Sequence, residues 1–190
     1  MGVGEERALN PVRTGVTSPH RKVAMWRNEA RMTTTRHFTA TGFVVHQGAT
    51  LLHWHRKVKM WLPPGGHIEP NEDPVQAVLR EVEEETGVRA EVVPTGTPID
   101  LDYPEQVHTP YTIEIEDIDD PVQGWHQHID MIYFCKPIGT PGALNEGWHW
   151  VSRRDLASGK ALDAGHGDAV PPPKDVRVLA EHAFEVVGNE

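Results

Sequence analysis

The chain has 190 residues, the length of a single domain with short extensions. Its charged fraction of 24% and hydrophobic fraction of 38% are typical of a soluble globular protein, and no apolar run approaches the ~20 residues that a membrane-spanning helix needs. The formal net charge of −10 argues against nucleic acid as a partner, because nonspecific binding to phosphates requires a basic surface. The single cysteine, Cys135, excludes an intrachain disulfide and, with no apolar secretory core in the first 25 residues, predicts a reducing, cytoplasmic location.

Charge is distributed unevenly along the chain. Residues 1–36 hold seven Lys or Arg and three Asp or Glu, so the remainder is strongly acidic. No sustained hydrophobic period indicates a helix or a strand in this segment. We therefore predict a flexible basic N-terminal extension over residues 1–36 and one folded domain over residues 37–190.

The first regular pattern begins at His37 and predicts two strands joined at Gln47–Gly48. His53 and His55 share one face of the second strand. Because a zinc site needs more ligands in tetrahedral geometry, we interpret these histidines as polar strand positions or substrate contacts. The same interpretation extends to three later histidines: His126, His128 and His149. Arg56 and Lys57 follow the second strand and are candidates to bind substrate phosphates, with a solvated strand end as the alternative.

A helix is predicted from about Pro74 to Thr86, with both ends marked in the sequence. Asp73 suits the N-cap, Pro74 suits the first helical position, and Gln76 can complete a capping box. Gly87 provides the left-handed residue that ends many helices. The boundaries of this helix are therefore predicted from local signals alone.

The predicted helix has an apolar face and an acidic face. Its apolar residues fall on one stripe that should pack on a sheet: Val75, Val78, Leu79 and Val82. Glu81, Glu84 and Glu85 lie on an adjacent stripe, where like charges repel by ~0.2–0.5 kcal/mol per pair. A solvated acidic face is one interpretation. The other is a binding site for a hard divalent cation, which carboxylates hold together with water and phosphate oxygens.

The rest of the chain predicts further strands and two helices. Strands are expected at about 90–96 and at 128–137, and another is expected around Trp148, Trp150 and Val151, followed by a short helix. Residues 97–125 should form a long acidic loop with a short strand near Ile113, and residues 157–173 should form a second loop. Lys174 to Val187 should form a closing amphipathic helix. This order predicts an α/β (α+β) sandwich in which a mixed sheet lies between helices.

Nine residues carry a resemblance to a known family. The stretch from Gly66 to Val88 matches every fixed position of the pattern G-x5-E-x7-R-E-U-x-E-E-x-G-U, where U is aliphatic, with these residues: Gly66, Glu72, Arg80, Glu81, Val82, Glu84, Glu85, Gly87 and Val88. This stretch resembles the signature of the Nudix hydrolases, which implies a Nudix fold and a Nudix hydrolase domain over residues 37–190.

The resemblance implies hydrolysis, with Mg²⁺ or Mn²⁺, of the diphosphate linkage in a nucleoside diphosphate joined to another group. ADP-ribose, nucleotide sugars and (d)NTPs belong to this class, and residues 97–125 are expected to select among them. A small nucleotide-type partner and no membrane are implied, and a homodimer stays open.

The resemblance also implies roles for individual residues. Metal ligands would be Glu81, Glu84, Glu85 and the carbonyl of Gly65, and the water would be activated by Glu81, Glu84 or the later Glu146. A structural part is implied for Gly66, Glu72, Arg80 and Gly87, with the Arg80 guanidinium paired to Glu72.

Two other functions compete with hydrolysis. A Nudix-fold module could bind a nucleotide without catalysis, although such modules usually lack some of these carboxylates. The same fold also supports isomerisation of a diphosphate through a catalytic cysteine. Cys135 lies in the apolar run MIYFC and is expected to be a buried structural thiol, which disfavours the isomerase.

Overall fold

The computed structural model describes residues 34–97, 99–165 and 167–188, so most of the predicted N-terminal extension lies outside the described residues. The strands are β1 (Arg36–His46), β2 (Ala49–His55), β3 (Met60–Leu62), β4 (Gly65–His67), β5 (Ala90–Val92), β6 (Thr112–Asp120), β7 (Gly124–Pro137), β8 (Trp148–Ser152), β9 (Leu162–Gly165) and β10 (Asp168–Val170). The helices are α1 (Pro74–Thr86), α2 (Arg153–Ser158) and α3 (Lys174–Val187).

Strand β1 organises a mixed sheet. It pairs in parallel with β7, with His37 opposite His128, and the sheet continues in the order β3-β2-β1-β7-β5. On its other edge β1 pairs antiparallel with β4 at residues 39–41 and with β2 at residues 45–46. Between these two partners the N–H of Gly42 donates to the carbonyl of Pro64 at 2.9 Å. Strand β1 therefore changes its antiparallel partner from β4 to β2 between residues 41 and 45.

Helices cover both faces of the sheet, as the sequence predicts. On one face α1 buries Ala77, Val78 and Val82 among residues that include Ala40 and Val44 of β1. On the other face α3 packs on a second cluster that contains Phe43 and Phe134, through these residues: Val176, Leu179, Ala180, Ala183 and Phe184. Neighbouring residues of β1 therefore point to opposite layers, which is the two-residue period of a strand. The predicted α/β sandwich is confirmed.

The predicted limits of α1 agree with the structure because its caps form locally. The Asp73 carboxylate accepts the N–H groups of Val75 and Gln76 at 2.8 and 2.9 Å, and the Gln76 side chain accepts the N–H of Asp73 at 3.0 Å. Gly87 has φ 75° and ends the helix. The buried stripe lies slightly differently from the prediction, since Ala77 is fully buried while Val75 and Leu79 are only half-buried.

Both predicted loops contain hairpins, which corrects the sequence interpretation. Strands β6 and β7 pair from Thr112 opposite Ile132 to Asp120 opposite Gly124. Much of the second half of the predicted loop over residues 97–125 is therefore a strand, β6. The strand predicted from residue 128 begins earlier, at Gly124. Strands β9 and β10 form a small hairpin within the second predicted loop. Strand β5 is shorter than predicted and ends at Val92.

Within the described residues no helix combines the length and the apolar character needed to cross a membrane.

Candidate active site

The acidic face of α1 meets the backbone of β4 at Gly65 and Gly66. The Glu85 carboxylate accepts the N–H of Gly65, with an N···Oε2 distance of 3.2 Å. A Cβ atom on Gly66 would lie 2.4 Å from Oε1 of Glu81, and one on Gly65 would lie 2.7 Å from the carbonyl oxygen of Ala40. A side chain at Gly65 would therefore collide with β1, and one at Gly66 would displace the Glu81 carboxylate from its observed position.

Arg80 joins the loop before α1 to the acidic face of the helix. Its Nε and Nη2 donate to the two carboxylate oxygens of Glu72 at 2.9 and 3.1 Å, and Nη2 also donates to the carbonyl of His67 at 3.1 Å. Its Nη1 donates to Glu81 at 2.8 Å and to Glu84 at 3.2 Å. Hydrogen bonds from Arg80 are also the main cause that lowers the pKa of Glu72. The planar guanidinium therefore holds three carboxylates in fixed positions.

Glu85 has the most perturbed carboxylate of α1. Burial raises its pKa to about 7, the Gly65 N–H acts in the opposite direction, and the charge of Glu81 adds to the rise. A half-buried carboxylate beside another carboxylate favours a nearby cation, which would stabilise its charged form. The available donors are hard oxygens, namely carboxylates and the Gly65 carbonyl, and these are the ligands that Mg²⁺ and Mn²⁺ prefer. The residues present therefore fit the cation that the resemblance implies.

A cavity of about 650 Å³ opens beside this cluster on the α3 face of the sheet. On its floor the hydroxyls of Thr39 and Thr41 donate to the Asp130 carboxylate at 2.9 and 2.8 Å. Burial is the main cause that raises the pKa of Asp130, while the two threonine hydrogen bonds act against it. Gly65, Gly66 and Glu85 form one wall, so the α1 carboxylates and the cavity are continuous.

Strand β6 adds carboxylates to the cavity that the sequence interpretation missed. Glu114 lies opposite Asp130, and Glu116 lies opposite His128. Desolvation and then the neighbouring Asp130 raise the pKa of Glu116, although its side chain still reaches solvent at the cavity mouth. The sequence signal that could have identified these glutamates is the two-residue alternation of TIEIE, which places both of them on one face of a strand. Ile113 and Ile115, whose apolar character suggested the strand, lie on the exposed face at 55% and 59% accessibility.

The other predicted site residues lie at the edges of this region. Lys57 lines the cavity from the turn after β2, whereas Arg56 is exposed and does not line it. Glu146 is exposed in the loop before β8. In that loop the Asn145 side chain donates to the carbonyls of Glu84 and Glu85 at 3.1 and 3.0 Å, so the loop is anchored at the C-terminal end of α1.

The buried thiol of Cys135 is excluded from this chemistry. Its side chain is fully buried among the residues that pack under α1, and burial raises its pKa to about 12. A thiol in this environment stays protonated and out of contact with the cavity.

Fold and site together define a class of protein, an α/β sandwich in which a carboxylate-rich helix contacts a glycine pair at the edge of a cavity. Comparison with known families identifies the class. The family model described as the NUDIX domain matches residues 35–171, and the chain belongs to the Nudix family.

Individual relatives agree with this assignment. A solved NUDIX-family hydrolase from Clostridium perfringens is 29% identical and superimposes with a TM-score of 0.64, covering 80% of this chain and 99% of that chain. Two curated proteins match over shorter segments. The asymmetrical bis(5'-nucleosyl)-tetraphosphatase of Sus scrofa is 40% identical over 52 residues, which are 27% of this chain and 31% of that protein. The m7GpppN-mRNA hydrolase NUDT17 of Xenopus laevis is 53% identical over 34 residues, which are 18% of this chain and 12% of that protein. The chain thus matches less than a third of the length of either curated relative.

Proposed function

We propose that the protein hydrolyses the diphosphate linkage of a nucleoside diphosphate joined to another group, with Mg²⁺ or Mn²⁺ as the cofactor. ADP-ribose, nucleotide sugars and (d)NTPs are the candidate substrates. The observation that carries the proposal is the contact of Glu81 and Glu85 with the glycine pair of β4 at the wall of the cavity. Membership of the Nudix family supports it.

The carboxylates of Glu81, Glu84 and Glu85, together with the Gly65 carbonyl, would hold the cations. When bound, such cations neutralise charge on the phosphates and lower the pKa of coordinated water. Glu84 suits an exchangeable ligand position because its side chain is 63% exposed. Glu85 contributes from a half-buried position next to Gly65.

Arg80 is the positioning residue of the cluster in this proposal. It contacts Glu72, Glu81 and Glu84 at once, so it fixes the spacing of two proposed ligands relative to the loop that enters α1. Because a misplacement of about 1 Å can cost on the order of 100-fold in rate, this fixed spacing matters for turnover as well as for stability.

One carboxylate would take the proton from the attacking water. Glu81 and Glu84 are candidates on α1, and Glu146 is a candidate in the loop that Asn145 anchors to the end of the same helix. A general base must lie within hydrogen-bond reach of the water that it activates. Single replacements by glutamine distinguish the three: loss of the base should remove its ionisation from the acidic limb of the pH–rate profile, whereas loss of a ligand should lower Mn²⁺ affinity.

The cavity suggests where substrate selection occurs. Among the described residues that line it, carboxylates outnumber cations, and Lys57 is the one Lys or Arg. A polyanionic substrate therefore depends on divalent cations for charge compensation. Residues 117–121, at the tip of the β6–β7 hairpin, form part of the mouth, and we propose that this hairpin tip selects the group joined to the nucleoside diphosphate.

The proposal is tested by replacing Glu84 and Glu85 together with glutamine. The expected result is a folded protein whose hydrolysis falls by orders of magnitude and whose Mn²⁺ affinity, measured by electron paramagnetic resonance, falls with it. Glu83→Gln is the matched control, because Glu83 is exposed on the same helix and lies outside the proposed set of ligands.

Hydrolysis close to the wild-type rate in the double variant would overturn the assignment of the site. The alternative function, a Nudix-fold module that binds a nucleotide without catalysis, predicts a different outcome. In that case nucleotide binding would be saturable in the wild type, with no turnover at saturating Mg²⁺ or Mn²⁺.

A further inference from the structure

Four histidines from three strands converge at one end of the sheet. His37 of β1 lies opposite His128 of β7, and His126 lies two residues earlier on the same face of β7. His67 of β4 lies opposite Thr39, which places it beside His37 on that face. The sequence interpretation gave His126 and His128 as polar strand positions or substrate contacts and assigned no role to His37 or His67. Only the pairing of the three strands brings the four rings together.

Three of these rings bring nitrogen atoms close enough together to share one ion after small rotations of the rings. Nε2 of His126 and Nε2 of His128 lie 3.2 Å apart, and Nδ1 of His37 and Nε2 of His67 lie 3.1 Å apart. One ring nitrogen from each of His37, His126 and His128 lies within 4.8 Å of the other two. Around tetrahedral zinc, with Zn–N distances of about 2.0–2.1 Å, neighbouring ligand nitrogens are separated by roughly 3.3 Å.

His126 is held in the orientation and tautomer of a metal ligand. Its Nδ1 lies 2.9 Å from the carbonyl oxygen of Gly124, which can only accept, so Nδ1 carries the hydrogen and Nε2 presents its lone pair. Metal-bound histidines are commonly fixed by this kind of backbone contact. The side chain is 4% exposed, so its orientation is constrained by packing.

The cluster also has a carboxylate nearby. Glu116 lies opposite His128 in the β6–β7 pair and places a carboxylate on the same face, where it adds negative charge near an ion.

We propose that His37, His126 and His128 form a second metal site, selective for a transition-metal ion such as Zn²⁺, with His67 in contact with the His37 ring. Imidazole nitrogens suit Zn²⁺, Co²⁺, Ni²⁺ and Cu²⁺, whereas the carboxylates of α1 suit Mg²⁺ and Mn²⁺. The histidine site and the carboxylate site are therefore expected to prefer different cations. The histidine site stands independently of the proposed hydrolysis, since binding alone reports on it.

The experiment uses the full chain without an affinity tag, stripped of metal, in the presence of excess Mg²⁺. Co²⁺ is the probe, because tetrahedral and octahedral Co²⁺ differ in the intensity of their visible absorption. We expect one equivalent of Co²⁺ to give the intense tetrahedral spectrum, Zn²⁺ to displace it, and Mg²⁺ to leave it unchanged.

Variants assign the ligands. His128→Gln should weaken Co²⁺ binding by at least about tenfold, because even the loss of a supporting contact around a metal ligand costs about 10–100-fold in affinity. His108→Gln is the matched control, since His108 is exposed and lies outside the cluster. Circular dichroism and thermal unfolding of the metal-free proteins establish that both variants fold.

A second measurement covers the case in which His128→Gln does not fold. Nitrogen-15 spectra of the histidine rings in the wild type should show Zn²⁺ shifting the signals of His37, His126 and His128 together. A weak octahedral Co²⁺ spectrum, equal affinity in the wild type and a folded His128→Gln variant, or unshifted signals of these three rings would each overturn the proposal.

Discussion

Replacing Gly66 by alanine should reduce turnover while the fold stays nearly intact, whereas the same replacement at Gly65 should destabilise the domain. The two residues are adjacent in β4, and neither has the left-handed backbone that would disfavour alanine in itself. The difference lies in what the new Cβ meets. At Gly65 it meets backbone and Thr41, and at Gly66 it meets only the end of the Glu81 side chain.

The magnitudes follow from these contacts. At Gly65 the Cβ would lie 2.7 Å from the Ala40 oxygen and 2.8 Å from Cα of Thr41, so β4 must move away from β1, and overpacking of this kind costs about 1–3 kcal/mol. For a domain of this size we expect a melting temperature lower by roughly 2–12 °C. At Gly66 the Glu81 carboxylate can rotate away from the new Cβ. Alanine also restricts the unfolded chain more than glycine does, which stabilises the folded protein by about 0.4–1 kcal/mol. The melting temperature of the Gly66→Ala variant should therefore change by less than about 3 °C.

In Gly66→Ala, turnover should fall without the loss of stability that is expected for Gly65→Ala. In Gly66→Ala the Glu81 carboxylate leaves the position that Arg80 and β4 define, so turnover and Mn²⁺ affinity should both fall while the melting temperature holds. The assays are differential scanning calorimetry in EDTA and phosphate release in Mg²⁺. If Gly66→Ala kept wild-type turnover, or lost as much stability as Gly65→Ala, the proposed effect of the new Cβ on Glu81 would be wrong.

Three further predictions concern α1 and the core. Arg80→Lys should lower both the melting temperature and turnover, because an ammonium group cannot reproduce the bidentate interaction with Glu72. Normal turnover in this variant would contradict the positioning role of Arg80. Asp73→Ala should cost about 0.5–2 kcal/mol in urea denaturation, since the N-cap loses its bonds to Val75 and Gln76, and an unchanged midpoint would count against the cap. The Cys135 thiol should react with Ellman's reagent at neutral pH only in denaturant, and rapid labelling of the native protein would contradict its burial.

The sequence was informative wherever the signal is local. The limits of α1 follow from Asp73, Gln76 and Gly87, whose hydrogen bonds and backbone angles involve residues a few positions away. The contact of Arg80 with Glu72 also lies within one short segment, because Glu72 is in the loop immediately before the helix that carries Arg80. The family signature falls entirely in this part of the chain, so the core of the candidate site could be predicted.

The remaining features depend on strand pairings that sequence patterns do not encode. The alternation of Ile113 and Ile115 indicated a strand, β6, but not which of its faces lies on the cavity, and the structure places both isoleucines on the exposed face. Its partner β7 sets the register that brings Glu116 into the cavity. The histidine cluster requires the parallel pairing of β1 with β7, which joins residues 91 positions apart in pairs such as Thr39 and Asp130. Register of this kind is fixed by tertiary packing.

The most direct test of the proposed function is the cleavage of a panel of nucleotides by the wild-type protein, with products separated by chromatography. The panel contains ADP-ribose, nucleotide sugars, (d)NTPs and dinucleoside polyphosphates, each assayed with Mg²⁺, with Mn²⁺ and with EDTA. We expect at least one substrate to be cut at a diphosphate linkage, EDTA to abolish the cleavage, and added Mg²⁺ or Mn²⁺ to restore it. Saturable binding of these nucleotides with no cleavage at saturating metal would contradict it.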